Sequence, residues 1–265
     1  MPFAMTQELK MHYMELGEGD PVLFIPGGGM DYSCWLPVAE LLQEKQRCIM
    51  IDNRGVGQTE KPPPPYSVHG MAQDAVNFLD HLKIDTCHVV GHSMGGYIAQ
   101  EMALIVADRC RSLTLIGTGT GPTAITVFLM ELRMQLAHRL DRRLFLKSVA
   151  GMMFSPATFE CRRELVDGFI EGGVKNPHPQ PEYAYHGHLD ACIAFSSTDR
   201  YSSIRTPTLV MVGENDLITQ PAQTRELARG LPQASIVTIG DAGHMVLTEQ
   251  PETLAREMKG FFESV

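Results

Sequence analysis

Long apolar runs and an excess of basic residues are both missing from this sequence. No stretch approaches the ~20 consecutive apolar residues that a membrane-spanning helix needs. The net charge of −9 at pH 7 argues against nucleic acid or an anionic membrane as the main partner. The opening residues, MPFAMTQELK, contain no basic segment followed by an apolar core. We therefore expect no secretory signal and a cytoplasmic protein.

Cysteine motifs of metal and redox sites are missing as well. The six cysteines include no C-x-x-C pair and no Cys/His spacing typical of a metal site. Cys48, Cys87 and Cys110 lie in or beside apolar runs, where a free thiol behaves as a small hydrophobic side chain. We expect free thiols in a reducing compartment, and neither a metal ion nor an organic cofactor.

Short apolar runs alternate with amphipathic stretches along most of the 265 residues. Runs rich in Val, Ile and Leu are typical of strands covered on both faces, and they occupy 21–29, 47–55, 87–96, 112–121, 207–216 and 235–244. Helix candidates lie at 35–45, 69–83, 97–109, 221–231 and 251–265. The alternation predicts a three-layer α/β sandwich with a mostly parallel sheet. The turn sequence GEGD at 17–20 predicts an antiparallel hairpin at the start of the chain.

The alternation stops between about residues 120 and 200. This stretch is helix-like, contains the proline-rich NPHPQPEY, and is rich in Met and Phe over 128–146 and 151–154. We expect residues 120–200 to form an inserted helical cap (lid) over a core made of residues 1–119 and 201–265. A Met-rich face is more often packing than a binding surface, so its composition alone is weak evidence for a binding site. Its expected position above the sheet is what makes it a candidate.

The segment Gly91-His92-Ser93-Met94-Gly95 matches the G-x-S-x-G pattern between a predicted strand and a predicted helix. Such a turn forces its serine toward a strained backbone conformation, and glycines let the strand and the helix approach closely enough to allow it. The amides that begin the helix point their partial positive charge at the serine oxygen. The pattern predicts that Ser93 is a nucleophile.

A serine hydroxyl is a poor nucleophile without a base, and the base needs a group that orients it. His244 lies in a loop after the last predicted strand and is favoured as the base. His92 adjoins the serine, so its side chain should point away and be structural. The remaining histidines are expected to pack or to face solvent (His69, His81, His88, His138), or to lie in the cap with their substrate contacts open (His178, His186, His188).

The acid is predicted at Asp216, because ligands and catalytic groups of open α/β sheets collect at the carboxyl ends of strands. Glu214, two residues earlier, is the nearest rival. Asp52 also ends a strand, but we expect it to fix its own loop through a local hydrogen bond or through Arg54. Asp241 is only three residues from the predicted base and too local to orient it.

The chain order Ser93, Asp216, His244 is the order of α/β-hydrolases. The sequence resembles this family, in its small esterase and enol-lactonase-like branch, at FIPGGGMDYSCW, DNRGVGQTEKP, GHSMGGYIAQE, PTLVMVGENDLITQP and DAGHMVLTEQPE. The resemblance implies an oxyanion hole made by the backbone N–H groups of Met94 and Gly28. The usual His-Gly pair of that loop reads Pro26-Gly27 here, so Gly27 and Gly29 stay open as alternatives.

These features predict a serine hydrolase that cleaves a carboxylic ester or lactone of modest, largely apolar small molecules. No arginine clamp for a charged substrate stands out, since Arg139, Arg142 and Arg143 are expected on a solvated helix face. The expected substrate contacts are Gly29, Trp35, Phe128, Met152, Met153 and Met245. The same triad would also serve a C–C bond hydrolase, a perhydrolase, an acyl transferase, or a small-molecule receptor with slow turnover. The oligomeric state stays open.

Overall fold

One mixed sheet organises the chain. The computed structural model describes residues 2–6 and 8–265, and over this part of the chain eight strands pair in the order β1-β2-β4-β3-β5-β6-β7-β8. Strands β3 to β8 are parallel, whereas β1 and β2 are antiparallel to their neighbours. The strands are β1 (Phe3–Met5), β2 (Lys10–Leu16), β3 (Asp20–Ile25), β4 (Gln46–Ile51), β5 (Cys87–His92), β6 (Cys110–Ile116), β7 (Thr208–Gly213) and β8 (Ala234–Ile239).

Helices cover both faces of this sheet, which confirms the predicted three-layer α/β architecture. They are α1 (Leu36–Leu42), α2 (Val68–His81), α3 (Met94–Ile105), α4 (Ala124–Arg139), α5 (Arg142–Met153), α6 (Pro156–Cys161), α7 (Arg163–Lys175), α8 (Glu182–Ala194), α9 (Pro221–Gly230), α10 (Val246–Glu249) and α11 (Pro251–Phe262). Within β3, Leu23 and Ile25 pack toward α2 and α3, and Val22 and Phe24 pack toward α1 and α11. Because alternate residues of one strand are buried on opposite faces, the apolar run is continuous.

The predicted N-terminal hairpin is wrong. Strands β2 and β3 are consecutive in sequence, but β4 lies between them and pairs with both. The crossover from β3 through α1 places β4 directly beside β3, and β2 then adds antiparallel to the outer edge of β4. The GEGD turn therefore crosses over the end of β4, and a Cβ at Gly17 would lie 2.2 Å from the Gln43 carbonyl oxygen.

The last strand also differs from its expected burial. Strand β8 is at the edge of the sheet, and three of its residues (Ser235, Ile236 and Thr238) are exposed. Strand β8 packs against α9, and as an edge strand it has less cover than the central strands. The apolar run at 235–239 therefore did not indicate burial on both faces.

Helices α4 to α8 form one insertion between β6 and β7, which we call the α4–α8 segment (residues 124–194). Side-chain caps fix where three of these helices begin, at Thr123, Asp141 and Ser155. Buried residues of α5, α7 and α8 are continuous with the core of the sheet. The division of the chain into core and cap at residues 120 and 200 stays a prediction.

Asp52 fixes the loop after β4 through a local hydrogen bond, one of the two roles left open for it. The Gln58 N–H donates to Asp52 Oδ2 over 2.9 Å, and the same oxygen lies 2.7 Å from His12 Nδ1. Arg54 instead forms an ion pair with Asp74, with Nε 2.6 Å from Oδ2.

Candidate active site

Ser93 lies in the sharp turn between β5 and α3, with φ 53° and ψ −118°. A non-glycine residue in this region stores about 1–3 kcal/mol of strain, which the surrounding structure must offset. The Ser93 N–H donates to the Ile116 carbonyl over 2.9 Å and so ties the turn to β6. A Cβ at Gly95 would lie 2.0 Å from the Ile25 carbonyl oxygen, and one at Gly91 would lie 2.2 Å from the Gly95 carbonyl oxygen. The glycines thus allow the close strand–helix approach that the turn requires.

His244 and Asp216 form a buried pair at the carboxyl ends of β8 and β7. His244 Nδ1 is 2.8 Å from Asp216 Oδ2, and each side chain is 1% exposed. The other oxygen, Asp216 Oδ1, accepts hydrogen bonds of 2.8 Å from the N–H groups of Ile218 and Thr219. Because a carboxylate only accepts, Nδ1 of His244 carries the proton and Nε2 keeps its lone pair. The rival acid, Glu214, is exposed and has no hydrogen bond to this histidine.

The serine and the histidine–aspartate pair meet at the same edge of the sheet. Gly117 follows Ile116, whose carbonyl accepts from the Ser93 N–H. A Cβ at Gly117 would lie 3.3 Å from Asp216 Oδ2 and 3.4 Å from His244 Nδ1. The ring of His92 is 4.8 Å from that of His244. Among the residues that the structure describes, the Ser93 hydroxyl has no hydrogen-bond partner.

The His92 side chain is bonded to the loop of His244 and not to the turn of Ser93. Its Nε2–H donates to the His244 carbonyl over 2.8 Å, and its ring packs edge-on against Trp35. Burial, together with the nearby His244, lowers the pKa of His92 to about 3. The ring is neutral at neutral pH, and its contacts are structural.

Several backbone N–H groups beside the serine have no acceptor among the described residues. They include those of Met94, the first residue of α3, and of Gly27 and Gly28 in the loop after β3. A Cβ at Gly28 would lie 3.7 Å from Met94 Sδ, and one at Gly27 would lie 3.2 Å from Ser93 Cβ. The N–H of Gly29 is already used, because it donates to His188. This leaves Gly28 and Gly27 as the donors of that loop.

His188 joins α8 to the loop after β3, a role that the sequence pattern left open. Its Nδ1 accepts from the Gly29 N–H over 3.2 Å, and its Nε2–H donates to the Arg54 carbonyl over 2.7 Å. Burial lowers the pKa of His188 to about 4, so the ring is neutral and its tautomer is fixed by these two bonds. His178 and His186 lie farther out, His178 on the cavity wall and His186 beside Glu182.

Glu249 joins the loop of His244 to the start of α6. Its Oε1 accepts from the Ser155 N–H (2.8 Å) and the Thr158 hydroxyl (2.7 Å), and its Oε2 accepts from the Gly243 N–H (2.7 Å). This carboxylate is fully buried. It fixes the residue that precedes His244, and motif analysis of the sequence did not single it out.

A cavity of about 920 Å³ lies between this edge of the sheet and the α4–α8 segment. Gly28 and Gly29 form part of its wall on the sheet side, together with Met245, which follows His244. Ser93 lies beside this wall and not on it. Apolar side chains of the α4–α8 segment, Phe145, Leu146, Val149, Met153 and Phe169 among them, form most of the opposite wall.

Three of the six expected substrate contacts, Gly29, Met153 and Met245, line this cavity; Trp35, Phe128 and Met152 do not. Trp35 is fully buried against Phe24 on the other face of the sheet. Phe128 is 60% exposed, because its position on α4 faces solvent, and Met152 packs against the core. The sequence pattern missed Arg133 and Tyr185, which also line the cavity. The spacing of Met130, Arg133 and Ala137 on α4 is the signal that could have found Arg133.

Comparison with known proteins places the chain among hydrolases. Residues 20–251 match the family described as alpha/beta hydrolase fold. The enol-lactonase from Burkholderia xenovorans LB400 superposes with a TM-score of 0.89 at 26% identity, over 99% of this chain and 100% of that one. A thermophilic esterase from Thermogutta terrifontis, solved with malate bound, gives 0.88 at 26% identity, over 99% and 98%. BpoC of Mycobacterium tuberculosis H37Rv, named for non-heme bromoperoxidase activity, is 30% identical over 97% of this chain and 99% of that protein.

No helix in the described part of the chain is long and apolar enough to cross a bilayer.

Proposed function

The chain belongs to the alpha/beta hydrolase fold family, and we propose that it is a serine hydrolase that cleaves a carboxylic ester or lactone of a small molecule. The observation that carries this proposal is the buried 2.8 Å contact between His244 Nδ1 and Asp216 Oδ2 beside the strained turn at Ser93. A histidine held in this tautomer presents a free Nε2 lone pair, as a general base requires.

In the proposed mechanism His244 Nε2 takes the Ser93 proton while the hydroxyl oxygen attacks the substrate carbonyl. The imidazolium then gives its proton to the leaving alcohol or enol, and an acyl-enzyme remains on Ser93. His244 next removes a proton from water as the water oxygen attacks the acyl-enzyme, and the imidazolium then returns that proton to Ser93 Oγ when the acyl–oxygen bond breaks and the acid leaves. Asp216 keeps the ring oriented and stabilises its positive charge at each step.

The N–H groups of Gly28 and Met94 would stabilise the oxyanion of the tetrahedral intermediates. Both lack acceptors among the described residues, and the loop of Gly28 lies against the turn of Ser93. Removal of one such donor typically costs ~10²–10³-fold in rate. The Gly29–His188 bond supports the assignment, because it fixes the loop in which Gly28 lies.

The names of the similar proteins support an acyl substrate. An esterase and an enol-lactonase both act on a carboxylic ester linkage, and both resemble this chain over nearly its whole length. We assign residues 120–200 the role of a cap that covers the acyl group, since the α4–α8 segment supplies the apolar wall of the cavity.

Hydrolysis of p-nitrophenyl esters from acetate to dodecanoate tests the proposal. We expect turnover with an optimum of chain length, and loss of at least about 10³-fold in kcat for Ser93→Ala. Ser235→Ala is the matched control, because Ser235 is exposed on the edge strand β8 and is not among the residues of the cavity wall. A fluorophosphonate should label only the peptide that carries Ser93. Absence of Ser93-dependent turnover on esters and on lactones would refute the proposal and favour a receptor.

A further inference from the structure

Arg133 is a buried cation without an anion. It lies on α4, is 5% exposed and is one of the residues that line the cavity, and its guanidinium carbon is 5.7 Å from the centre of the Tyr185 ring. Its Nε is fully buried and has no hydrogen-bond partner, and no described carboxylate lies within 4.0 Å. Arginine cannot lose its proton in a protein, so this charge persists.

A buried charge of this kind is costly unless an anion and hydrogen bonds compensate it. The carboxylates on the same wall do not fill this role. Asp31 accepts from Ser33 and Asn176, Asp52 accepts from its own loop and Tyr32, and Glu182 pairs with His138. Glu164, the remaining acid of the wall, is exposed to solvent.

Two further buried polar atoms of the cavity wall lack partners, namely the hydroxyl of Tyr185 and Oε1 of Gln180. Both residues adjoin the loop after β3. A Cβ at Gly29 would lie 3.1 Å from Tyr185 Cε2 and 3.5 Å from Gln180 Oε1. Arg133 and Tyr185 thus line the same cavity, and Tyr185 lies next to the loop that holds Gly28.

We propose that this cavity binds substrates that carry a carboxylate in addition to the scissile ester or lactone, and that Arg133 and the Tyr185 hydroxyl bind this carboxylate. The proposal deepens the hydrolase function and rests on it for the identity of the reacting bond. Arginine suits a carboxylate because its planar donors match the two oxygens. Arg142, which is exposed, also lines this cavity and adds positive charge to its wall.

A pair of matched esters tests the proposal. Mono-p-nitrophenyl glutarate and p-nitrophenyl pentanoate have the same acyl length and differ in a terminal carboxylate against a methyl group. The wild-type protein should favour the glutarate ester in kcat/KM. Arg133→Met should lower this preference about 10²-fold, which corresponds to the loss of a charge-assisted interaction. Arg139→Met, an exposed arginine of the same helix, is the matched control and should leave the preference unchanged.

Binding without turnover separates the two proposals. Glutarate should bind the Ser93→Ala protein in isothermal titration calorimetry and should bind Ser93→Ala/Arg133→Met at least about 30-fold more weakly. That result, obtained without Ser93-dependent hydrolysis, would uphold the anion site and refute the hydrolase. Equal binding by both proteins, no binding by either, or an unchanged ester preference in Arg133→Met would overturn the anion site. If methionine at 133 prevents folding, Tyr185→Phe should lower the same preference roughly 10-fold, and an unchanged preference there would also overturn it.

Discussion

Replacement of His188 should remove part of the acid sensitivity of this protein. The neutral imidazole accepts from the Gly29 N–H and donates to the Arg54 carbonyl, and burial lowers its pKa from 6.5 to about 4. Between these two pH values the unfolded chain binds a proton at this position and the folded chain does not. Stability therefore falls as the pH falls through this window.

The size of the effect follows from the two pKa values. Relative to pH 8, linkage at His188 alone costs about 2 kcal/mol of unfolding free energy at pH 5 and about 3 kcal/mol at pH 4. Asparagine or glutamine at this position carries no titrating group. The unfolding free energy of either variant should therefore fall by that much less than that of the wild type over the same pH range. His88 and His92, whose pKa values are also low, contribute equally to all three proteins and cancel in the comparison.

Urea unfolding at pH 8, 6, 5 and 4 measures this difference. The two variants also separate the two bonds, because an asparagine oxygen can replace Nδ1 toward Gly29, whereas glutamine reaches only toward Arg54. An orphaned Gly29 N–H costs about 1–3 kcal/mol, so glutamine should disturb the loop of Gly28 and lower kcat more than asparagine does. Equal pH dependence in the wild type and both variants would refute the reasoning.

Three further predictions rest on substitutions with contrasting outcomes. Asp216→Asn should lower kcat on p-nitrophenyl butyrate at least about 10²-fold while Glu214→Gln leaves it unchanged; the reverse result would move the acid to Glu214. Glu249→Gln weakens three buried hydrogen bonds and should cost about 3 kcal/mol in urea unfolding; wild-type stability would contradict its role as an anchor. Gly95→Ala forces a Cβ onto a β3 carbonyl and should cost more than about 3 kcal/mol, whereas Gly151→Ala, with open space, should stabilise by up to about 1 kcal/mol. Comparable stability of the two alanine variants would exclude the steric account.

Strand ends were the most predictable part of this molecule. Ser93 and Asp216 directly follow apolar runs, and glycine and polar residues mark the turns after them. Parallel strands bring such turns to one edge, so residues far apart in sequence become neighbours without any further signal. Pairing partners were less predictable. The residues of β2 do not indicate which strand pairs with it. Because β3 follows β2 in sequence, β3 was the predicted partner, but the crossover places β4 between the two strands.

Side-chain direction accounts for the other errors. Trp35 and Phe128 are large and apolar, and such residues are equally suited to the core, to a cavity wall or to an exposed helix face. The sequence pattern did not distinguish Arg133 from Arg139, Arg142 and Arg143, which indicated a solvated face. The phase of α4 turns Arg133 inward while Arg139 stays outside. Composition alone does not contain this phase.

Buried hydrogen bonds tie the α4–α8 segment to the rest of the chain at two separate places. Besides the Glu249 contacts, the Met245 N–H donates to the Met153 carbonyl and the Ser155 hydroxyl donates to the Asp241 carbonyl. At α8, the buried His188 is bonded to the Gly29 N–H and to the Arg54 carbonyl. Because the segment is held at both places, substitution of the apolar side chains that line the cavity would change the shape of the cavity and leave the loop of His244 in position.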